Sequence, residues 1–254
     1  MESGIISKSL AAIRKEPSET SEMVNQMLFG ETFDIVERYK GWLRIIGHFD
    51  EYYGWLDSRL TSNMEHGNIS ANIKLASTLF KAKEIDSELT VNLCPGSALH
   101  NFENGFFYCG KTKYTQIENP FVEISDNKLA IVEQIAKSYL NSPYLWGGRS
   151  PYGIDCSGLT QVVYKIAEVN LPRDASQQAL LGSIVEFIDH VKLGDLAFFD
   201  NDEGAITHVG ILLGNGQIIH SSGFVRIDKF DHQGIFNIKT NQYTHKLRVI
   251  KRIF

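Results

Sequence analysis

The chain has 254 residues, 43% hydrophobic and 22% charged, a balance that suits a folded globular protein and excludes a disordered or fibrous one. A net charge of −5 and a pI near 5.9 argue against nucleic-acid binding, which favours basic surfaces. No apolar run approaches the roughly 18 residues of a membrane-spanning helix, so neither a nucleic acid nor a membrane is expected as a partner.

The start, Met1-Glu2-Ser3-Gly4-Ile5-Ile6, lacks a basic stretch followed by an apolar core. A cytoplasmic protein is therefore the expectation; an exported protein whose leader lies outside this sequence is the alternative. Residues 1–124 hold 12 Lys and Arg against 17 Asp and Glu, and residues 125–254 hold 13 of each. The acidic excess thus belongs to the N-terminal half, where it is either a solvated surface or a field favouring a cationic ligand group.

Residues 4–60 read as short strands: Leu10–Arg14, Glu31–Glu37, Trp42–Ile46 and Tyr53–Leu56, punctuated by Pro17 and by a Lys40-Gly41 turn. Such spacing suggests a small β-barrel. Residues 70–124 repeat the style, with Leu89–Leu93 before Cys94-Pro95-Gly96 and a Gly105 break between Phe102 and Tyr108. The texture then changes. Leu129, Val132, Ala136, Tyr139 and Leu140 form a helical stripe, with Ser125 or Asp126 as its cap and Pro143 as its stop. A second helix is expected from about Cys156 to Glu168, followed by strands at Leu196–Asp200, His208–Leu213 and Gln217–Ser222. The predicted organisation is two small barrels, 1–62 and 63–124, and an α+β domain, 125–254.

The chemistry concentrates at Asp155-Cys156-Ser157-Gly158, between a Gly-rich loop and the second helix. Asp155 or Ser157 can cap the helix, which puts Cys156 in its first turn. The partial positive charge there favours thiolate. Cys94 and Cys109 lack such surroundings, and three cysteines without a CxxC pair make no disulfide framework. A cysteine nucleophile needs a base, usually histidine. Of eight histidines, His48, His66, His100, His190, His232 and His245 sit in polar or turn contexts without a partner pattern. His208 and His220 flank the hairpin signal Gly214-Asn215-Gly216. A two-residue turn pairs 211 with 220 and sends the two rings to opposite faces. A three-residue loop pairs 210 with 220 and brings them together, so the catalytic reading demands the longer loop.

In that reading His208 takes the thiol proton and keeps an ion pair with Cys156, while His220 fixes the tautomer of His208. Cys156 attacks a carbonyl to give an acyl-enzyme, with its own N–H as a candidate oxyanion donor. One Cys and two His could also hold zinc, but no CxxC or HxxxH spacing supports it. No metal or cofactor is expected.

Tyr144-Leu145-Trp146-Gly147-Gly148, Asp155-Cys156-Ser157-Gly158-Leu159, Leu171-Pro172-Arg173-Asp174-Ala175-Ser176-Gln177-Gln178, Lys192-Leu193-Gly194-Asp195-Leu196, His208-Val209-Gly210-Ile211 and Ile219-His220-Ser221-Ser222 stand in that order. Together they resemble the NlpC/P60 cysteine peptidases over residues 126–254. Residues 1–124 resemble two bacterial SH3 (SH3b) modules, as in γ-D-glutamyl-L-diamino acid endopeptidases of the YkfC type. The resemblance implies a papain-like α+β domain behind two SH3-like barrels. It implies hydrolysis of the γ-D-glutamyl–diamino acid bond in murein stem peptides with a free N-terminal L-Ala, in cell-wall recycling. Cys156, His208 and His220 would be catalytic. Tyr144 and Trp146 would line the cleft, and Asp155, Ser157 and Asp174 would contact substrate. The first module would select the free amine through Tyr52 (or its neighbour Tyr53) and Glu22. Ala175 departs from the Ser that the family often carries there. The competing readings are a non-catalytic SH3b protein that binds wall fragments, and a thiol amidase or acyltransferase on the same fold.

Overall fold

The computed structural model describes residues 2–64, 72–122 and 127–254. His66, the caps expected at Ser125 or Asp126 and the boundary expected after residue 124 lie outside the described residues. The chain divides into two compact units, Met1–Ile124 and Ser125–Phe254. Among the described residues no helix is long and apolar enough to cross a membrane.

The first unit is all-β. Strands β1 (Glu2–Ile6), β2 (Leu10–Arg14), β3 (Met23–Leu28), β4 (Thr32–Tyr39), β5 (Trp42–Gly47), β6 (Tyr53–Asp57) and β7 (Thr61–Asn63) form one antiparallel sheet, ordered β3-β2-β6-β5-β4-β1-β7. Its alternating apolar residues, among them Ile13, Phe33, Leu43, Ile45 and Leu56, build one core. Strands β8 (Ile73–Leu75), β9 (Phe80–Glu84), β10 (Thr90–Leu93), β11 (Ala98–Glu103), β12 (Phe106–Cys109) and β13 (Thr112–Gln116) form the second sheet. Its core of Phe80, Leu93, Leu99, Phe107 and Tyr114 also takes in Ile5 and Phe29 from the first. Buried His100 reaches Gly30 O at 2.7 Å, and the Cys109 thiol donates to Ile6 O at 3.3 Å. The two sheets therefore share apolar packing.

The second unit opens with helix α1 (Lys128–Ser138), capped by Asn127, whose Oδ1 accepts from Leu129 N–H at 2.9 Å. The helix ends before Pro143 is reached. Asn141 takes a left-handed φ of 68° and turns the chain. The short hairpin β14 (Arg149–Ser150) and β15 (Gly153–Ile154) leads into α2 (Cys156–Ile166), in which every residue is buried. A helix buried all round belongs in a core, and α2 packs between α1 and two later strands, Ile206–Gly214 and Gln217–Ser222. After the one-turn helix α3 (Ala175–Gln178) come β16 (Ser183–Ile184), β17 (Leu196–Asp200), β18 (Ile206–Gly214), β19 (Gln217–Ser222), β20 (Phe224–Phe230), β21 (Gly234–Asn237) and β22 (Gln242–Arg252). They pair in the order β16-β22-β17-β18-β19-β20-β21, and β21 pairs back onto β22. Six strands thus close into a barrel around Phe199, Leu212, Ile218, Phe230, Ile235 and Ile250. Because side chains alternate along a strand, His208 and His220 share the inner face with Leu212 and Ile218.

Candidate active site

Asp155, one of the two caps the sequence offers, is the N-cap of α2, and its Oδ1 accepts from Gly158 N–H at 2.7 Å. Its Oδ2 accepts from Gly147 N–H at 2.8 Å. The carboxylate is also ion-paired to Arg173, a fully buried side chain that donates to Asp155 Oδ1 at 3.0 Å and to Ser157 Oγ at 2.8 Å. Gly158 has to lack a side chain, because a Cβ there would lie 2.3 Å from Gly148 O. The Gly-rich loop and the helix start are therefore clamped together, and Cys156 is held in the first turn. Asp155 and Ser157, expected to contact substrate, are engaged in this clamp.

The thiol itself departs from expectation. Burial pushes Cys156 up to about 12, the Asp155 charge adds to this, and a Val209 N–H directed at the sulfur only partly offsets it. Desolvation outweighs the partial charge of the helix start. Nor is the expected ion pair formed. Among the described residues no hydrogen bond joins the thiol to the His208 ring; the Sγ–H points to Thr207 O at 4.0 Å. The sulfur thus lies against the backbone on either side of His208. Burial thus favours the thiol over the thiolate at Cys156 and the neutral imidazole over the charged one at His208 and His220.

The hairpin resolves the question of register in a way neither expectation foresaw. Gly214 pairs with Gln217 across a two-residue turn, with Asn215 at φ 52° and Gly216 at φ 66°. Positive φ at both central positions is the type I′ signature. The register then slips between Leu212 and Gly214, so that Leu212 faces Ile218 and Ile211 faces Ile219. A β-bulge absorbs the odd residue, and His208 and His220 meet as if the loop had three. His208 Nε2 and His220 Nδ1 are 2.8 Å apart. Gly210 makes room for this, since a Cβ there would lie 3.0 Å from His220 Cβ.

Three further residues enter the pair's surroundings. His220 Nε2 is 3.0 Å from Asp228 Oδ2, and Arg226 Nε donates to the same oxygen at 2.8 Å. His245 stacks on His208 with ring centroids 4.2 Å apart. Burial holds His208 well below the usual imidazole value, with His220, His245 and Arg226 adding to it. Burial also lowers His220, against the opposing pull of Asp228. His245 falls to about 4, mainly through burial. Burial alone would raise Asp228, but hydrogen bonds from His220 and Arg226 more than offset it and leave it below the ordinary carboxylate value.

The other predicted residues are more scattered. Tyr144 lies near Cys156, and burial raises its phenol to about 12. Trp146, in the same loop, is 60% exposed. Asp174 is the N-cap of α3, and its N–H donates to Gln177 Oε1 at 3.5 Å. In the first unit, half-buried Tyr52 donates its N–H to Asp50 Oδ1 at 3.2 Å, while Tyr53 is exposed. Glu22 is exposed and lies 3.8 Å from Lys15 Nζ. Among the described residues no group of three or more His, Cys, Asp or Glu side chains is arranged to hold a metal ion. Sequence reasoning missed Arg173, Arg226, Asp228 and His245. Arg226 and Asp228 carry a signal: they alternate with Val225 and Ile227 straight after the Gly223 turn, which puts them on the face of His220. His245 carries none, because only barrel closure brings it near.

A family model described as the NlpC/P60 family matches residues 141–247. One described as the bacterial dipeptidyl-peptidase Sh3 domain matches residues 13–59. The chain is 31% identical over 216 residues to the gamma-D-glutamyl-L-lysine dipeptidyl-peptidase of Bacillus subtilis (strain 168), spanning 77% of this chain and 71% of that protein. It is 28% identical over 261 residues to dipeptidyl-peptidase 6 of Lysinibacillus sphaericus, spanning 90% and 92%. In fold it is similar to the crystal structure of an NlpC/P60 family protein from Bacillus cereus ATCC 10987, with a TM-score of 0.83, 19% identity and coverage of 98% and 99%.

Proposed function

The chain belongs to the NlpC/P60 family of cysteine peptidases, and from that premise we propose that it hydrolyses the γ-D-glutamyl–diamino acid bond of peptidoglycan stem peptides. The substrate class is supported by the relative named as a gamma-D-glutamyl-L-lysine dipeptidyl-peptidase. The assignment of roles is carried by one observation, the 2.8 Å contact between His208 Nε2 and His220 Nδ1 beside the strand backbone that touches Cys156.

With Nε2 engaged by His220, Nδ1 is the nitrogen of His208 left for the thiol. The Cys156 proton passes to that Nδ1 as Sγ attacks the γ-carbonyl carbon of D-Glu. The N–H of Cys156 has no partner inside its helix, because first-turn amides lie beyond the helical ladder, and it serves the developing oxyanion. The tetrahedral species collapses, the C–N bond breaks, and His208 returns its proton to the leaving amine. Water, deprotonated by His208, then splits the thioester and restores the thiol. Thiol–imidazole contacts that are long in a free enzyme commonly tighten once substrate is bound. Tyr144 and Trp146 line the cleft in this reading, and Asp155, Ser157 and Asp174 bound the substrate. A free N-terminal L-Ala, recognised through Glu22 and Tyr52, is part of the proposal. Such an amine exists only on stem peptides already released from their sugar, which fits a cytoplasmic role in recycling wall fragments.

The test is incubation with L-Ala-γ-D-Glu linked to diaminopimelate or to L-Lys, with the freed diamino acid detected by mass spectrometry. Release by the wild type and a loss of about a thousandfold or more in Cys156→Ala are expected. Absence of release from both peptides overturns the peptidase assignment for this substrate class. Undiminished release by Cys156→Ala removes Cys156 from its role. Acetylating the substrate amine should abolish turnover; continued turnover would overturn the free-amine requirement.

A further inference from the structure

We propose that Asp228 is a positioning residue: acting through His220, its carboxylate selects the one tautomer of His208 that leaves Nδ1 bare to receive the thiol proton. The inference rests on the cysteine chemistry of the preceding section but is argued from hydrogen-bond logic alone.

Asp228 is the fixed point. Its carboxylate is held ionised by two donors that share one oxygen, His220 Nε2 at 3.0 Å and Arg226 Nε at 2.8 Å. An ionised carboxylate only accepts. His220 Nε2 must therefore carry a hydrogen. A neutral imidazole has one N–H, so His220 Nδ1 is bare and acts as an acceptor. The 2.8 Å contact to His208 then requires the hydrogen to sit on His208 Nε2. Neutral His208 is left with Nδ1 unprotonated, which is the state a general base needs. Without Asp228 the whole chain can reverse. His220 would then be free to carry its hydrogen on Nδ1 and donate it to His208 Nε2, placing a hydrogen on the nitrogen that should take one.

The surroundings make the choice count. The titratable and charged groups about the two rings are, among the described residues, Cys156 at the start of α2, Arg226 and Asp228 on β20 and His245 on β22, and Phe199 of β17 also lies against His208. His220 is fully buried, and the Asp228 side chain is 12% exposed. Water cannot readily replace a lost acceptor there, so an orphaned N–H is costly and the tautomer with a paired hydrogen is preferred. Asp228 is also the carboxylate joined through His220 to the imidazolium that forms on His208 as the thiol proton arrives. Arg226 fixes the carboxylate but opposes that imidazolium, so the two residues pull the acid limb in opposite directions.

The experiment compares Asp228→Leu, which removes the acceptor, with Asp228→Asn, whose amide oxygen keeps one. Protein labelled with nitrogen-15 histidine is read by long-range proton–nitrogen NMR, alongside kcat/KM against pH on the γ-D-glutamyl tripeptide. In the wild type, His208 and His220 should both show a hydrogen on Nε2 and a bare Nδ1. In Asp228→Leu that pattern should be lost and kcat should fall about a hundredfold or more, with KM changing less than threefold. Asp228→Asn should keep the pattern and lose less rate, with the acid limb of kcat/KM moved to lower pH because a negative charge is gone. An unchanged nitrogen pattern in Asp228→Leu, or wild-type rings with the hydrogen on Nδ1, overturns the proposal. The spectra need no substrate, so they judge the tautomer claim even where the tripeptide is not cleaved. Failure of the substrate assignment is thereby distinguishable from failure of this one. If Asp228→Leu does not fold, the Asp228→Asn pH profile decides: an acid limb that stays in place overturns the claim that the carboxylate charge supports the relay.

Discussion

Replacing Arg173 by methionine should unfold the helix start that carries the reactive sulfur. Arg173 and Asp155 form a buried ion pair, with side chains 2% and 8% exposed. Methionine fills much of the same volume, so the packing loss is small. What remains is a carboxylate out of water with Gly147 N–H, Gly158 N–H and the Ser157 hydroxyl as donors, none of them charged. Removing one partner of a buried pair typically costs about 3–5 kcal/mol. Against a whole-domain stability of about 5–15 kcal/mol, that is a large fraction. Asp155→Asn in the same chain removes the stranded charge, so the double variant should recover about 1–3 kcal/mol relative to the sum of the singles. The chain has two compact units, so a single unfolding curve would mix them. Trp146 is the one tryptophan of residues 125–254, and a Trp42→Phe, Trp55→Phe background makes its fluorescence report the second unit alone during urea unfolding. A loss below about 1 kcal/mol for Arg173→Met, or strict additivity in the double variant, would refute the claim that this pair clamps the site.

Two predictions concern protons. With Cys156 pushed up to about 12, its alkylation by iodoacetamide, followed at the peptide level, should rise about tenfold per pH unit from 6 to 9; a rate already flat at neutral pH would mean a standing thiolate–imidazolium pair. His245 titrates at its ordinary 6.5 when unfolded but at about 4 when folded, so the unfolded chain takes the proton first. Its contribution is complete above pH 6.5 and is lost as pH falls toward 4. Between pH 7 and 5 this amounts to at most about 2 kcal/mol, or roughly 1 after allowing for the ring's partial exposure. His245→Phe, which keeps the stack but cannot titrate, should lose about that much less stability over the same interval in urea unfolding, and an equal loss would show that the ring is not shielded from solvent.

The parts of this molecule legible from sequence are those set within a few residues. Asp155 caps α2 because an acceptor must stand just ahead of a helix, and Asn215-Gly216 turns the chain because both positions need positive φ. Beyond these local features the register of β18 against β19 stayed open. Counting residues in Gly214-Asn215-Gly216 could not settle it, because the extra residue went into the strand as a bulge. The acidity of Cys156 turns on more than the helix start for a related reason. The helix-start argument is local and has the right sign, but burial acts through every atom packed around the sulfur, and no stretch of sequence reports that sum. His245 is the extreme case. It reaches His208 only because β22 pairs with β17 and with β21 in the same barrel, a closure that joins segments far apart in the chain. The nucleophile and its first base can thus be read along the chain, whereas whatever tunes their protons is assembled across it. Asp228 stands between the two cases. Its alternation with Ile227 is visible in the sequence, but its meaning appears only once His220 is known to face the same interior.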